Sequence, residues 1–211
     1  NILLKVQNDT DATKAVTLNG TTGMGITQKS TGRPVLFNAR RYAGNDVQGR
    51  EITGFGFGSP DLVWIKCRTD GHHHALFDSV RGVNATDANK LISNHNTAQN
   101  NSGFGYGNIK EFTSDGFTLE NGSQNGMQHV NINNENYIAW AWKASGAPSA
   151  DGKKIVDGVE SNAVSGTDYG AISGTTPFRN VRQSINTVGG FSITKFRLGD
   201  IGTSGSFEGS W

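Results

Sequence analysis

Short apolar runs separated by polar turns follow one another along the chain. The runs FNARRYA, LVWIKC and ALFDSV are rich in β-branched and aromatic residues, which are typical of strands. In YIAWAW the side chains alternate in size, so the large ones fall on one face of the predicted strand. That face carries Ile138, Trp140 and Trp142. The other face carries Tyr137, Ala139 and Ala141, and this division fits an inner sheet that faces a core.

The segment EFTSDGFTLE carries the clearest local signal. Its Asp115-Gly116 pair lies between two alternating runs, which predicts a tight β-hairpin. Long polar stretches, residues 84–110 and 121–136, lie on either side of this hairpin and predict loops. Loops of this length in a compact domain are usually functional or mobile.

The composition indicates many short strands joined by turns. The chain has 29 glycines in 211 residues and is also rich in Asn, Ser and Thr. This glycine content is about double the average usage of roughly 7% and favours an all-β sandwich or barrel. The single cysteine, Cys67, excludes an intramolecular disulfide, and we expect it to pack as a small apolar residue within its strand.

Charge and hydropathy argue against two classes of partner. The formal net charge is +1 and the basic residues are scattered, so no cationic run is available for a nucleic-acid backbone. No apolar stretch approaches the roughly 18 residues that a membrane span requires. We therefore expect neither nucleic-acid binding nor membrane insertion.

Two distant segments share one pattern. FNARRY and FSITKF both read aromatic, apolar, basic, aromatic at the same spacing, and both are soon followed by Gly and Asp. A separation of about 150 residues is a domain-sized period. The chain begins at Asn1 and stops at FEGSW, and we interpret both ends as cuts in a longer polypeptide. The predicted organisation is a connector at 1–36, a β-sandwich at 37–145, a linker at 146–189 and the opening strands of a second β module at 190–211.

The order of PDLVWIKCR, HALFDSVRG, FTSDGFTL and NYIAWAWKA resembles an uncharacterised domain family of tailed-phage virion proteins, frequent in marine phages and cyanophages. The matching positions are Pro60, Asp61, Trp64, Lys66, Arg68, Phe77, Asp78, Arg81, Gly82, Asp115, Gly116, Phe117, Tyr137, Trp140 and Trp142. The resemblance implies an antiparallel jelly-roll sandwich, similar to concanavalin A or laminin G domains, in a tail fibre or other virion appendage. It supplies no catalytic residues.

Three consecutive histidines lie between two of these motifs. In an extended segment His72 and His74 share one face and His73 points to the other. Two adjacent imidazoles fall short of the four ligands of a structural zinc site, which leaves His72 and His74 as weak metal candidates. We predict a polar surface turn at this place, with no metal and no other cofactor.

No catalytic arrangement stands out in the sequence. Asp78 and Arg81 are expected to form a structural ion pair or to bond backbone groups of the turn. The acidic residues fall mostly in turns and at strand edges, and nothing selects the pair that a glycosidase needs. The serines lack the motif of a nucleophile elbow. These patterns predict a protein that is not an enzyme.

Aromatic residues and polar loops are the candidates for ligand contact. Trp64, Trp140 and Trp142 offer rings for sugar stacking, but tryptophan at period two in an apolar strand is more often part of a core. We therefore predict glycan or partner contacts in loops 94–108 and 121–136, where amides and exposed rings are available. The predicted contact residues are Asn101, Phe104, Tyr106, Asn125 and Asn133.

These features together predict a non-enzymatic virion structural protein, a subunit of a tail fibre or appendage that takes part in host attachment. Its expected partners are other virion proteins, copies of itself in a homotrimer, and a host surface glycan. Two alternatives remain open. One is a capsid decoration or tail-hub attachment protein, and the other is a carbohydrate-binding or glycan-cleaving tailspike module.

Overall fold

The computed structural model describes residues 17–19, 25–27, 34, 36–83, 89–99, 105–163 and 178–198, and every regular element in them longer than one residue is a β-strand. The chain divides into two compact units, Asn1–Arg33 and Pro34–Trp211. In the first unit, β1 (Thr17–Asn19) pairs with β2 (Gly25–Thr27) as an antiparallel hairpin. The described residues contain no helix long and apolar enough to cross a membrane.

The described part of the second unit contains twelve strands. They are β3 (Phe37–Ala43), β4 (Glu51–Thr53), β5 (Leu62–Cys67), β6 (Ala75–Asp78), β7 (Leu91–Ile92), β8 (Asn108–Thr113), β9 (Gly116–Glu120), β10 (Asn136–Trp142), β11 (Lys153–Val156), β12 (Val159–Asn162), β13 (Phe178–Asn186) and β14 (Phe191–Leu198). They form a five-stranded sheet in the order β3-β10-β5-β6-β7, a three-stranded sheet β4-β9-β8 and a four-stranded sheet β12-β11-β13-β14.

The five-stranded and three-stranded sheets share one hydrophobic core, which is the arrangement of a β-sandwich. All pairs in these two sheets are antiparallel. The buried cluster draws on both sheets and on the loops between them. Its members are Ile52, Phe55, Val63, Ile65, Cys67, Ala75, Phe77, Ile109, Phe117, Leu119, Met127, Val130, Tyr137, Ala139 and Ala141. The prediction that the chain is all-β is confirmed, and Cys67 packs in the core as expected.

Strand β10 shows which face of the main sheet is the inner one. Tyr137, Ala139 and Ala141 are fully buried, whereas Trp140 and Trp142 are only half-buried. The expectation that the tryptophans belong to the core is therefore wrong. The core volume is filled from the other sheet by rings such as Phe117, which lie in one cluster with the small residues of β10. Trp140 and Trp142 consequently lie on the outer face of the sheet.

The predicted hairpin is present as β8 and β9. Its two-residue turn is Ser114 and Asp115, and Gly116 is already the first residue of β9, paired with Thr113 and Thr53. The Asp115 carboxylate accepts the N–H groups of Gly54 (3.0 Å) and of Gly56 (2.7 Å). These bonds link the hairpin turn to the segment that follows β4.

The segment 146–189, which the sequence suggested as a linker, contains β11, β12 and β13. Strand β14, suggested as the start of a second module, pairs antiparallel with β13 in the same sheet. Every side chain of β12 is exposed, so apolar patterning carried little signal for these strands. Backbone pairing defines them instead, with β11 antiparallel to β12 and parallel to β13.

The four-stranded sheet contacts the outer face of the sandwich near the end of β10. The rings of Phe191 and Trp142 stack at a centroid distance of 6.2 Å. The Ser145 N–H donates to the hydroxyl of the fully buried Ser184 at 2.8 Å, and the Asn186 amide donates to the Ala144 carbonyl at 3.3 Å. These contacts place β13 and β14 against the C-terminal end of β10.

Asp61 links the ends of three strands of the five-stranded sheet. Its buried carboxylate accepts the Lys143 ammonium and the Ala144 N–H, each at 2.8 Å, just after β10. Its own N–H donates to the Trp142 carbonyl at 2.9 Å. Its carbonyl accepts the Ser79 N–H at 2.8 Å, just after β6. Asp61 itself immediately precedes β5.

Replacing Asp61 should destabilise the fold. Asp61→Ala leaves the buried Ala144 N–H and the Lys143 ammonium without their acceptor, which costs about 2–3 kcal/mol of unfolding free energy. Asp61→Asn retains an acceptor for the N–H and should lose less. Urea denaturation followed by circular dichroism measures both. Asp151→Ala is the control, because the Asp151–Arg182 pair is partly exposed and its loss should cost less than about 1 kcal/mol. Equal losses for Asp61→Ala and Asp151→Ala would contradict the assignment.

Gly116 should tolerate no side chain. A Cβ at this position would lie 1.9 Å from the carbonyl oxygen of Ile52 on the neighbouring strand β4, so Gly116→Ala must push the two strands apart. We expect a loss of about 1–3 kcal/mol in the same denaturation assay. Gly71→Ala is the matched control, since a Cβ there meets no atom within 4 Å. A Gly116→Ala protein as stable as the Gly71→Ala protein would show that the close approach is absent.

Candidate functional site

The predicted contact residues fall in different parts of the loops. Asn101 and Phe104 lie outside the described residues. Tyr106 is half-buried, and its ring lies 5.6 Å from that of His129. Asn125 is exposed, with a φ of 54°, in the turn that begins at Gly122.

The loop before β10 packs on the segment that precedes β8. The Gln124 N–H donates to the Gly105 carbonyl and the His129 N–H donates to the Tyr106 carbonyl, both at 2.9 Å. Asn133 lies further along, exposed in the turn that leads into β10, where its side chain accepts the Asn134 N–H at 3.0 Å.

The three consecutive histidines diverge, as strand-like alternation predicted. His72 lies 3.7 Å from the Asp70 carboxylate, and His74 contacts Trp64. His73 points elsewhere, with its ring centroid 5.3 Å from that of His95. No group of three or more His, Cys, Asp or Glu side chains in the described part of the chain is arranged to hold a metal ion.

An aromatic cluster that the sequence did not suggest forms around His73. The ring of His73 contacts those of His95 and His129 edge-on, at 5.3 and 5.8 Å, and Tyr106 completes the group from the segment before β8. These rings come from the chain between β5 and β6, between β7 and β8, and between β9 and β10. Their positions in the sequence share no spacing that would reveal the cluster. The contacts hold the loops together at one end of the sandwich.

The environment of His74 favours its neutral form. Burial lowers its pKa, and the nearby charges of Lys66 and His73 lower it further. The Trp64 indole N–H donates to Nδ1 of His74 at 3.3 Å. An indole only donates hydrogen bonds, so this contact requires an unprotonated Nδ1.

The expected ion pair of Asp78 and Arg81 is confirmed, and it is buried. The Arg81 guanidinium contacts the Asp78 carboxylate, which also accepts the Arg81 N–H at 2.8 Å. Burial raises the pKa of Asp78, and the charge and backbone N–H of Arg81 oppose that rise. This carboxylate closes the turn after β6 and is fully inaccessible to solvent.

The outer face of the five-stranded sheet carries two rows of aromatic side chains. Trp140 and Trp64 are cross-strand partners with ring centroids 5.6 Å apart and planes inclined by 58°. In the next row Trp142 pairs with Phe37 on β3, at 4.9 Å and 41°. Phe37 is 46% exposed, and the four-stranded sheet reaches this row through Phe191. Of the two rows, the Trp64–Trp140 row lies farther from that contact.

Basic residues lie on the other side of the Trp64–Trp140 row, away from Trp142. Arg41 and Lys66 flank Ile138 on β3 and β5, two residues along each strand from the aromatic row. Arg68 follows directly after β5 and is exposed, as is Arg41. Within the described residues, the guanidinium groups of Arg41 and Arg68 form no ion pair.

The two arginines line an open groove of about 570 Å³ at the β3 edge of the sheet. The lining residues carry no acidic side chain: they are Ala39, Arg40, Arg41, Tyr42, Ala43, Arg68 and Asn136. The groove is therefore a local excess of positive charge on a chain whose net charge is only +1.

Fold and surface together define an all-β sandwich protein with an additional four-stranded sheet. The chain belongs to the family described as a domain of unknown function, DUF7483, whose model matches residues 34–199. The matched range covers the sandwich and the four-stranded sheet alike. No curated protein and no solved structure shows a significant match to the chain.

The pKa of His74 should be measurable by NMR titration. We expect a midpoint below the ordinary value of about 6.5, and a higher midpoint in Lys66→Gln, which removes a charge that lowers it. Lys153→Gln, on the four-stranded sheet, is the control and should leave the midpoint unchanged. A midpoint at or above the ordinary value would contradict the environment described for His74.

The same pKa fixes the sign of a stability effect. A lowered pKa in the folded protein means that the unfolded chain binds this proton more readily. The contribution of neutral His74 to stability is therefore complete above the unfolded pKa of about 6.5 and is lost as the pH falls through the lower folded pKa. Denaturation between pH 8 and pH 5 should show this loss, and His74→Asn should reduce it.

Proposed function

We propose that the chain is a non-enzymatic structural protein of a phage virion, a subunit of a tail fibre or other appendage that takes part in host attachment. The order of its four motifs, which resembles tailed-phage virion domains, supports this proposal. The all-β sandwich suits a jelly-roll module within such an appendage. Copies of the chain in a homotrimer and other virion proteins are the proposed partners.

The observation that best supports the proposal is that the carboxylates of the motifs bond groups of the protein itself. Asp61 links the ends of three strands, Asp78 is buried against Arg81 and Asp115 accepts two backbone N–H groups after β4. A catalytic acid or nucleophile needs a carboxylate that faces a substrate. The carboxylates of these motifs hold the backbone instead, as expected of residues that maintain a structural module.

The location of the chain in the particle tests the proposal. Purified particles are separated into heads and tails, and each fraction is examined by mass spectrometry and by gold-labelled antibody against the chain. We expect the chain in the tail fraction only, with label on fibres or other appendages. Detection in heads alone would favour capsid decoration and contradict the appendage role. Absence from both fractions would contradict a virion role.

Glycan cleavage is the enzymatic alternative, and a separate assay addresses it. The protein is incubated with host surface polysaccharide and the release of reducing ends is followed. We expect no release above the buffer control. Release that disappears when one exposed carboxylate is replaced, for example in Glu111→Gln, would contradict the non-enzymatic assignment.

A further inference from the structure

Trp64 and Trp140 lie outside the hydrophobic core. Both are half-buried on the outer face of the five-stranded sheet, paired across β5 and β10. The π face of an indole carries partial negative charge, and the C–H groups of a pyranose ring carry partial positive charge, so the two surfaces pack together favourably. The pair therefore offers an apolar platform of a size suited to a sugar ring.

The basic residues lie at the distance that one sugar residue spans. Arg41 and Lys66 are two residues along their strands from the aromatic row, which is about 6–7 Å at the usual rise per residue. The Lys66 ammonium already donates to the carbonyls of Asp70 and His72, each at 3.0 Å. Arg41, with no ion pair to a described residue, offers a planar guanidinium fork that matches a carboxylate.

The groove extends this positive charge beyond a single side chain. Arg41 and Arg68 line it together with Asn136, and no acidic residue is among the residues that line it. Charge complementarity therefore favours an anionic ligand that runs from the aromatic row to the groove. A chain of acidic sugars has apolar ring faces and carboxylates in alternation. The aromatic rings of this face complement the sugar ring faces, and its arginines complement the carboxylates.

A single-stranded nucleic acid also combines rings with negative charges, but this face suits it less well. Binding of such strands relies on a basic groove that follows the backbone and on open aromatic faces for successive bases. Here Arg41, Lys66 and Arg68 lie at one end of the face, and the planes of Trp64 and Trp140 are inclined by 58°.

We propose that the outer face of the five-stranded sheet binds an acidic polysaccharide rich in uronic acids. Trp140 and Trp64 pack against a pyranose ring, and Arg41 and Arg68 pair with the carboxylates of that residue and its neighbour. This inference rests on the proposed function, since it names the class of host surface ligand that the appendage would recognise. It places the ligand on the sheet face and not in the loops that the sequence suggested.

Binding of polygalacturonate to the full chain tests the proposal. Isothermal titration calorimetry measures affinity, and tryptophan fluorescence reports contact with the indoles. We expect saturable binding that weakens as salt rises, with no binding to neutral dextran of the same length. Arg41→Gln/Arg68→Gln should weaken binding at least about tenfold, because two charge-assisted contacts are lost. Lys110→Gln/Lys153→Gln is the control with the same change in charge and should bind as the wild type does.

A second variant tests the aromatic half of the site. Trp140→Leu keeps an apolar side chain over the sheet but loses the aromatic ring, so it should weaken binding by about tenfold. Thermal melting verifies that the variant is folded. Four results would overturn the proposal: equal binding of dextran, unchanged affinity in either site variant, an equal loss in the lysine control, or tighter binding of an oligothymidylate than of polygalacturonate.

The particle experiment and the binding experiment fail independently. If the chain is found on tail appendages but binds no polygalacturonate, the polysaccharide proposal is contradicted and the proposed function is unaffected. If the chain binds polygalacturonate through these residues but is absent from particles, the proposed function is contradicted and the proposal for the binding face is unaffected.

Discussion

The small inner side chains of β10 set the arrangement of the whole sandwich. Ala139 and Ala141 face inward at the centre of the five-stranded sheet, and the opposing sheet and loops fill the space with rings such as Phe55 and Phe117. Because side chains alternate along a strand, the tryptophans of β10 must then lie on the outer face. The position of the core and the aromatic character of the outer surface are two results of one packing constraint.

Carboxylates, buried at Asp61 and Asp78 and half-buried at Asp115, complete the architecture where strands end. Asp61, Asp78 and Asp115 each accept backbone N–H groups next to a strand end. Burying a carboxylate is costly unless hydrogen bonds or a cation compensate, and each of these groups has such partners. Acidic residues inside sequence motifs therefore need not indicate chemistry, and in this protein they explain how short strands are held in register.

Local patterns predicted the strands of the sandwich well, because strand alternation and the Asp115-Gly116 turn depend on neighbours in sequence. The same patterns could not show which face of β10 is inward, since that depends on the remote rings that fill the core. They also gave little sign of β11 and β12, which backbone pairing defines more than apolar side chains. Of the candidate site, alternation predicted the divergence of the histidines. The contacts among His73, His95 and His129 depend on the tertiary fold alone.

The parallel pairing of β11 with β13 bears on how the protein is made. All strands of the sandwich precede β11 in the chain, whereas β11 gains its second neighbour only when β13 has emerged from the ribosome. The sandwich can therefore condense during synthesis, and the four-stranded sheet is completed afterwards on an existing surface. In this order of folding, the outer tryptophans are in place on the sandwich before the four-stranded sheet is complete. Trp142 is covered last, so nascent chains pass through a stage in which the Trp142 ring is accessible to other molecules.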